Sequence, residues 1–470
     1  MTDTSFAGAS VLNRMDEAKL SRPHWRIMFI SGMGFFTDAY DLFIIGVVMQ
    51  LIKEEWRIGP TEIGLVTSTA LLASAVGAVL FGRIADMLGR KRIYGYEVLV
   101  LAIGAVASAF SPNIWWLILF RVVLGVGIGG DYPVSSTIMA EYASRRTRGM
   151  MVTLVFTMQA AGLIFGPLLG AGLLATRLPH DIIWRILLAA GAVPAMSVFW
   201  MRRRLAETPR YLLATGQHEA FSEAASLVLG EIEGQQAGGR VSDRKARVRE
   251  PFWQGFRTLT SSPVFLMRLI GASLAWACMD FAYYGNTVSS PMVIAAMSPN
   301  KSLLNHTLIQ LAIFAIAAAP GYLIAAATID RIGRKNIQTI GFVMMGAAFA
   351  LIALIPGIER LAIPFLIIYG VSYFFTEFGP NSTTFVYPAE IFPVRARTTG
   401  HGIAAATGKL GGFVGVFLFP IFLTWHGLLA AQGAAAVVSV LGAIVTFAML
   451  PETMGRSLEE LSPGDETARA

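Results

Sequence analysis

The sequence predicts an all-α membrane protein whose twelve transmembrane helices form two pseudo-symmetric six-helix bundles. Of its 470 residues, 55% are hydrophobic and only 14% are charged, whereas soluble domains carry roughly one quarter charged residues. Apolar runs of about 20 residues, the length needed to cross a hydrocarbon core, recur along the chain in two groups of six. Two charged motifs of the first group also return in the second, as an internal repeat would require.

The predicted spans lie on both sides of one long polar segment. The first six cover residues 24–52, 60–84, 92–110, 113–140, 150–175 and 182–201. The second six cover residues 263–297, 304–328, 337–356, 361–388, 398–424 and 428–450. The expected divisions are an N-terminal segment 1–23, an N-terminal bundle 24–203, a linker 204–262, a C-terminal bundle 263–450 and a tail 451–470.

Positive charge is concentrated in loops. Lysine and arginine outnumber the acidic residues by 37 to 30, and they cluster in the linker, beginning with Arg202, Arg203 and Arg204, and in short corners. All of these segments fall on one side if both termini are cytoplasmic, as the positive-inside rule requires. We therefore expect a multi-pass integral protein of the plasma (inner) membrane, in contact with lipids and without a nucleic-acid partner. The single cysteine, Cys278, excludes an internal disulfide and a thiolate metal cage.

Two charged motifs mark equivalent corners of the two halves. GRIADMLGRK, residues 82–91, returns as ATIDRIGRK, residues 327–335, and AEYASRRTRG, residues 140–149, returns as AEIFPVRARTTG, residues 389–400. Acids and bases at such corners can pair across helix ends and hold the cytoplasmic face shut. Alternatively, short turns simply need glycines and cations. The predicted gate residues are Asp86, Arg90, Glu141, Arg146, Arg148, Asp330, Arg334, Glu390, Arg395 and Arg397.

These corners resemble the loop motifs of the major facilitator superfamily. The motif D-x-x-G-R-K occurs in both halves, with AETPRYL at 206–212 and PETMGRSLEEL at 451–461, and the resemblance covers residues 24–461. It implies the major facilitator fold, in which one half rocks against the other around a midplane site. Met87 departs from the pattern by replacing the usual basic residue, and Ala326 stands where the second copy would have glycine.

The first and fourth spans carry charges that hydrocarbon would not tolerate. Asp38 and Asp41 lie within the first span, where each ionised carboxylate costs about 3 kcal/mol on insertion scales. Arg121 in the fourth span needs a counter-charge, which either aspartate could supply, or the pair could merely pin two helices. Gly125 and Gly129 share a face that permits close helix approach. The literal G-x-G-x-x-G here is not a dinucleotide turn, because no soluble strand precedes it.

The seventh span carries a polar stripe. Trp276, Asp280 and Tyr284 follow one another at intervals of four residues, so they line one helix face with a small angular drift. A carboxyl between an indole N–H and a phenol O–H should face the bundle interior rather than lipid. Gln159 and Asn381 add neutral hydrogen-bonding groups, for which an ordinary interhelical hydrogen bond is an equal alternative.

Three further stretches resemble the phosphate:proton symporter branch of the superfamily: FFTDAYDLF at 35–43, GGDYPVSS at 129–136 and FGPNSTTFVYPAEIFP at 378–393. The resemblance implies a substrate pocket formed by Tyr132, Gln159, Trp276, Asp280, Tyr284 and Asn381. It implies proton coupling by Asp38, Asp41, Arg121, Asp131 and Asp280. Lys409 also matches a family position, whereas Glu377 replaces a residue that is usually neutral in the branch, so both are candidates for tuning the substrate.

The function expected from these residues is proton-coupled import of inorganic phosphate by alternating access. A buried Asp280 that binds a proton on the outer side can donate a hydrogen bond to the anion, and loss of that proton inside restores repulsion. Alternatives are transport of another small solute, such as an organic anion or a sugar, and ligand sensing without transport. No catalytic or metal-ligand pattern occurs, so neither an enzyme nor a cofactor is expected. The oligomeric state is open, with a monomer as one option.

Overall fold

The computed structural model of the chain describes residues 11–53, 55–229, 253–298 and 300–462. Within these ranges the fold is built from helices, and eleven helical runs are long and apolar enough to cross a membrane. The last run, Val394–Met449, contains a reversal at Gly427, where φ is 80° and ψ is 173°. Counted as two helices on either side of that glycine, the spans number twelve, as the sequence predicts. Residues 1–10, 230–252 and 463–470 of the predicted terminal and linker segments lie outside the described residues.

Six spans precede the linker. They are α1 (Arg22–Ile52), α2 (Pro60–Leu88), α3 (Arg90–Ala109), α4 (Ile114–Tyr142), α5 (Arg148–Leu174) and α6 (His180–Arg202). Two of them are interrupted, since α3 consists of Arg90–Ile93 and Tyr96–Ala109, and α6 of His180–Ala190 and Ala192–Arg202. The helix α4 runs unbroken through residues 125–130, which confirms that this glycine-rich stretch is not a dinucleotide-binding turn.

Six spans follow the linker. They are α7 (Pro263–Val288), α8 (Leu303–Ile332), α9 (Arg334–Leu354), α10 (Ala362–Ile391), α11 (397–426) and α12 (428–449). Single π-helical turns interrupt α8 at Phe314–Ala318 and α10 at Glu377–Asn381. The span predicted at 263–297 ends earlier because a new helix, Ser290–Met297, starts with Pro291 in its first turn, a position that proline favours.

Shorter helices occupy both ends of the bundle. On the side where α6 ends and α7 begins, called the linker side, are residues 11–17, Pro209–Ala214, His218–Leu229, Gln254–Ser261 and the 3₁₀ turn Val394–Ala396. Ser290–Met297 and the 3₁₀ turn Ile358–Arg360 lie on the opposite side, because each follows a span that starts on the linker side.

The repeated D-x-x-G-R-K motif makes the same corner in both halves. Gly89 ends α2 with a φ of 97°, and Gly333 ends α8 with a φ of 93°. These values lie in the left-handed region that glycine adopts without steric cost. The chain can therefore stop one span and start the next within a single residue, which fixes the adjacent charged side chains.

The two halves meet through close helix contacts. The helix α2 packs against α11, and α5 packs against α8. A Cβ on Gly82 would lie 2.6 Å from the main-chain oxygen of Thr398, so only glycine permits this approach of α2 to α11. Within the N-terminal half, Gly125 and Gly129 bring α4 against the main chain of α2 at Ala70 and Ser74, as their spacing predicts.

Candidate functional site

On the linker side, an aspartate from each half caps a helix of the other half. Asp86 accepts hydrogen bonds from the main-chain N–H (2.7 Å) and the hydroxyl (2.6 Å) of Thr399, in the first turn of α11. Asp330 accepts from the main-chain N–H groups of Gly149 (3.2 Å) and Met150 (2.7 Å), in the first turn of α5. Helix N-termini present unpaired N–H groups and the positive end of the helix dipole. Each half therefore holds the other by the same device.

The glutamates of the second repeated motif are bound differently in the two halves. Glu141 lies 3.1 Å from Arg90 of its own half and 3.1 Å from Arg397 of the C-terminal half. Glu390 instead accepts two hydrogen bonds, of 3.1 and 2.8 Å, from Arg334 of its own half. All five side chains are at most 1% exposed. The ion pair that joins the halves through this motif therefore depends on Glu141.

The remaining predicted gate arginines occupy different environments. Arg148 pairs at 2.9 Å with Asp16 from the N-terminal segment, and Asp16 also pairs at 2.7 Å with Arg210. The side chain of Arg395 is partly exposed, and that of Arg146 is exposed. Arg146 takes part in none of the ion pairs between described residues, so its position does not bring it into the gate.

The AETPRYL and PETMGRSLEEL segments also act on equivalent helices. Glu207 accepts a hydrogen bond of 3.1 Å from the main-chain N–H of Lys91 at the start of α3. Glu452 accepts one of 3.0 Å from the main-chain N–H of Arg334 at the start of α9. Burial raises the pKa of Glu207, against the opposing charge of Arg90. Glu207 and Glu452 therefore occupy equivalent positions in the two halves, although the segments that carry them were not recognised as a repeat in the sequence.

A buried charged group, called the central cluster, joins α4, α7 and α11. Lys409 donates hydrogen bonds to the carboxylate of Asp280 (2.9 Å) and to the hydroxyl of Tyr284 (3.0 Å). The hydroxyl of Tyr284 lies 3.1 Å from that of Tyr132 in the other half, and the Lys409 ammonium stands 4.2 Å from the centre of the Tyr132 ring. These four residues are at most 1% exposed, so the site is closed to solvent.

Trp276 completes the predicted stripe of α7. Its ring centre is 5.9 Å from the ammonium of Lys409, which also touches Asp280 and Tyr284. This common neighbour confirms that the three α7 side chains share one face and that the face is turned inward. The indole N–H makes no hydrogen bond of ordinary geometry among the described residues, but it interacts with the carboxyl of Asp280.

A second polar group, called the amide cluster, joins α5, α8 and α10. It consists of Gln159, Tyr322, Glu377 and Asn381. The Asn381 amide donates to the hydroxyl of Tyr322 at 2.7 Å and to the side-chain oxygen of Gln159 at 3.3 Å. The Tyr322 hydroxyl donates to the same oxygen of Gln159. Gln159 and Asn381 therefore come together across the two halves, with Tyr322 between them.

Aromatic rings separate the two clusters. The ring of Phe156 lies 6.2 Å from that of Tyr132 in the central cluster and 6.0 Å from that of Tyr322 in the amide cluster. Phe35 and Phe385 pack against both Tyr132 and Phe156. These rings exclude water from the space between the clusters, which strengthens electrostatic interactions nearby.

The N-terminal half holds its own buried charge network. Asp131 pairs with Arg202 at 2.8 Å, and Arg202 pairs with Glu97 at 2.8 Å. Ser135 donates a further hydrogen bond to Asp131. Arg202, at the end of α6, thus supplies the charge partner of an aspartate that the sequence assigns to proton coupling.

Asp38, Asp41 and Arg121 lie close to this network. Among the described residues, the guanidinium of Arg121 is not within ion-pair distance of the carboxylate of Asp38 or Asp41. Arg121 donates a hydrogen bond of 2.9 Å to the main-chain oxygen of Asp41, rather than to either predicted carboxylate. One carboxylate oxygen of Asp38 and one of Asp41 lack a hydrogen-bond partner among the described residues. Asp38 interacts electrostatically with both Asp131 and Lys409, so it lies between the network of the N-terminal half and the central cluster.

Several residues of these clusters have no distinctive sequence signal. Arg202 opens a run of three arginines that is typical of a loop, and Glu97 follows a predicted corner. Tyr322 is one aromatic residue within an apolar span. Lys409 carries a signal, since a lone lysine within a span of membrane length is rare without a function.

The chain forms two helical halves, which ion pairs and helix caps join on the linker side and which enclose buried charged clusters. This arrangement is that of a multi-pass membrane transporter. Residues 27–464 match the sugar (and other) transporter family. The chain belongs to this family, within the major facilitator superfamily that its loop motifs indicate.

Relatives and solved structures agree with this assignment. The chain is 35% identical to inorganic phosphate transporter 1-4 of Arabidopsis thaliana, over 97% of this chain and 96% of the relative. It is 36% identical to inorganic phosphate transporter 1-6 of Oryza sativa subsp. japonica, over 98% and 96%. A structure of the proton:xylose symporter XylE bound to 6-bromo-6-deoxy-D-glucose superimposes with a TM-score of 0.78, at 19% identity, over 93% of this chain and 98% of that chain. The superposition shows the fold.

Proposed function

We propose that the protein imports inorganic phosphate together with protons by alternating access, with the central cluster as the anion-binding site. The observation that carries this proposal is the buried pair of Lys409 and Asp280, 2.9 Å apart, at the junction of the two halves. The relatives over nearly the whole chain are named inorganic phosphate transporters, which supports phosphate as the anion. Tyr132, Tyr284 and Trp276 add donors for its oxygen atoms, and Gln159 and Asn381 of the amide cluster add further ones.

The ion pair provides a mechanism of coupling. Without substrate, the Asp280 carboxylate neutralises the Lys409 ammonium. When Asp280 takes up a proton, Lys409 loses its partner, and a phosphate oxygen can replace the carboxylate while the neutral acid donates a hydrogen bond to the anion. Releasing the proton restores the original pair and expels phosphate by repulsion. Binding of the proton alone or of the anion alone would leave a buried charge unpaired, which costs several kcal/mol.

This energy difference explains why proton and phosphate would move together. At the Lys409–Asp280 pair, the empty form and the form loaded with one proton and monovalent phosphate both have balanced charge, so both can rock between the two sides. A form that carries only the proton or only the anion contains an unpaired buried charge, which raises the free energy of movement in either direction. No nucleotide is needed, because the proton gradient supplies the driving force.

Protons would reach the pair through the N-terminal half. Asp38 interacts with both Asp131 and Lys409, which supports a relay formed by Asp38, Asp41 and Asp131. We propose that Arg121, which binds the main chain of Asp41, holds this part of α1 in place.

The linker side would be the cytoplasmic side. The cation-rich corners and the described ends of the linker lie there, which fits the positive-inside rule, and both termini would then be cytoplasmic in the plasma (inner) membrane. The bundles 24–203 and 263–450 would move as the two rocking bodies, joined by the linker 204–262. The ion-pair chemistry supports a transporter rather than an enzyme. All residues of the proposed site come from one chain, so a monomer surrounded by lipid would suffice for transport.

Purified protein in liposomes tests the function. With an acidic exterior, labelled phosphate should accumulate inside, and collapsing the pH gradient with a protonophore should abolish the accumulation. Unlabelled phosphate should compete, whereas xylose and small carboxylates should not. Gradient-driven uptake of a carboxylate or a sugar without phosphate would overturn the proposal.

Asp280→Asn isolates the role of the ion pair. The amide cannot neutralise Lys409, so the empty carrier should fail to rock, while the phosphate-loaded carrier still can. We expect phosphate–phosphate exchange to continue and net accumulation to fall to the equilibrium level. Full accumulation in this variant would contradict the proposed role of Asp280.

A further inference from the structure

The π-helical turn of α10 carries a buried carboxyl that the coupling mechanism does not use. Glu377 is 0% exposed and lies near the middle of the span Ala362–Ile391. One carboxyl oxygen accepts a hydrogen bond of 2.5 Å from the amide of Asn381. The other meets no hydrogen-bond donor at ordinary geometry among the described residues, although the hydroxyls of Tyr283 and Tyr322 interact with the carboxyl. Single π turns inside α-helices often occur at functional sites, and here the turn brings both side chains into the amide cluster.

The surroundings of Glu377 are polar but uncharged. The titratable groups that face it are the phenols of Tyr283 from α7, Tyr322 from α8 and Tyr373 from α10 itself. Among the described residues, no lysine, arginine or histidine comes within ion-pair distance of it. Asp280 of the central cluster, by contrast, has Lys409 as an ion-pair partner. A carboxylate at this position would be held only by hydrogen bonds from neutral groups, so its burial favours the form that has taken up a proton.

Glu377 and the substrate would compete for the Asn381 amide. A side-chain amide has two N–H donors, and in this structure they are distributed over Gln159, Tyr322 and Glu377. An ionised Glu377 holds one donor by a charge-assisted bond and repels an approaching anion. A protonated Glu377 does neither, so its proton makes the Asn381 amide available to an oxyanion.

We propose that Glu377 is a proton-carrying positioning residue, which releases Asn381 for the anion when protonated and so adds one proton to each transport cycle. This inference rests on the proposed function and deepens it. The proton enters from the side opposite the linker with the anion bound, and it leaves to the linker side as Glu377 recaptures the Asn381 amide. Glu377 and Asp280 would then each carry one proton per phosphate.

The proton-to-phosphate ratio provides the decisive measurement. Liposomes loaded with phosphate are exposed to a series of pH gradients at fixed membrane potential, and the gradient at zero net phosphate flux gives the ratio. Glu377→Gln, which resembles the protonated acid, should lower the ratio by one. Glu377→Asp should keep the wild-type ratio, because it restores a titratable group. Glu223→Gln, at an exposed position of the helix His218–Leu229, serves as the matched control.

Phosphate binding in detergent provides a second measurement that does not depend on transport. Each proton required for binding weakens affinity by about tenfold per pH unit once the site deprotonates. The dissociation constant for inorganic phosphate should therefore increase with pH in both proteins. The factor of increase per pH unit should be about ten times smaller in Glu377→Gln than in the wild-type protein. If Glu377→Gln is not monodisperse, Glu377→Ala takes its place in both measurements.

An unchanged ratio and an unchanged pH dependence in the carboxyl-free variants would overturn the role of Glu377 and leave phosphate transport intact. A wild-type protein that neither binds nor accumulates phosphate would instead overturn the proposed function, and the inference with it. The two failures are therefore distinct.

Discussion

The linker-side gate is repeated in the two halves, whereas the central cluster is not. Asp86 and Asp330 cap helices of the opposite half in the same way. The charged pair of the centre, Asp280 with Lys409, belongs entirely to the C-terminal half. Under the proposed function, the twofold elements would guide the movement, and the asymmetric elements would bind the anion and the proton.

The largest effect should follow from disrupting the ion pair of Lys409 and Asp280, which is confined to the C-terminal half. Lys409→Gln leaves Asp280 without a partner and removes the cation that would bind phosphate. Since breaking one side of a buried pair costs about 3–5 kcal/mol, phosphate uptake should fall by at least about 100-fold. Lys409→Arg keeps the charge and should retain more activity. Uptake by Lys409→Gln within tenfold of wild type would show that the pair is only structural.

A smaller effect should separate the two gate glutamates. Glu141→Gln weakens the ion pair to Arg397 across the halves, so amide hydrogen exchange in the first turn of α11 should increase, and uptake should fall by about tenfold, or about 1.4 kcal/mol. Glu390→Gln is the matched control, because its arginine partner Arg334 lies in its own half. Equal exchange in both variants would contradict the assignment of the cross-half bond to Glu141.

The capping aspartates should give moderate and reciprocal effects. Loss of a cap costs about 1 kcal/mol, so Asp86→Asn should increase exchange at Thr399 by about fivefold, and Asp330→Asn should do the same at Met150. Each variant is the control for the other. An effect confined to the half that carries the substitution would argue against mutual capping.

The smallest effect is expected for Arg146→Ala. The side chain is exposed and outside the described ion pairs, and surface substitutions usually change stability by less than about 0.5 kcal/mol. Uptake should remain within about twofold of wild type. The buried Arg148→Ala should be clearly worse, and a strong defect in Arg146→Ala would place that residue in the gate after all.

The sequence predicts the fold well because membrane spans are read from composition and length. Twelve apolar runs give twelve helices, and the repeated D-x-x-G-R-K motif predicts equivalent corners at Gly89 and Gly333. The inward stripe of α7 also follows from spacing alone. The break after Val288 is less visible, because Ser289 and Pro291 end one helix and start another without any polar interval.

Pairings between helices are harder to predict. Lipid and bundle interior are both apolar, so the pattern of a span gives a weak signal for which face turns inward. The partnership of Asp280 with Lys409 and that of Asp131 with Arg202 depend on helix rotation and on contacts distant in sequence. For the same reason the sequence leaves open which aspartate serves Arg121. The guanidinium of Arg121 binds the main-chain oxygen of Asp41 and interacts electrostatically with the carboxylate of that residue.

The reversal at Gly427 connects the helix that carries Lys409 directly to a helix with an apolar outer surface. Only this residue leaves helical geometry between α11 and α12, so a displacement of the end of α11 also displaces the start of α12. The outer surface of α12 exposes Val437, Ile444 and Phe447, which would contact the acyl chains. A movement of α11 that carries Lys409 towards or away from Asp280 would therefore also move a surface that faces lipid.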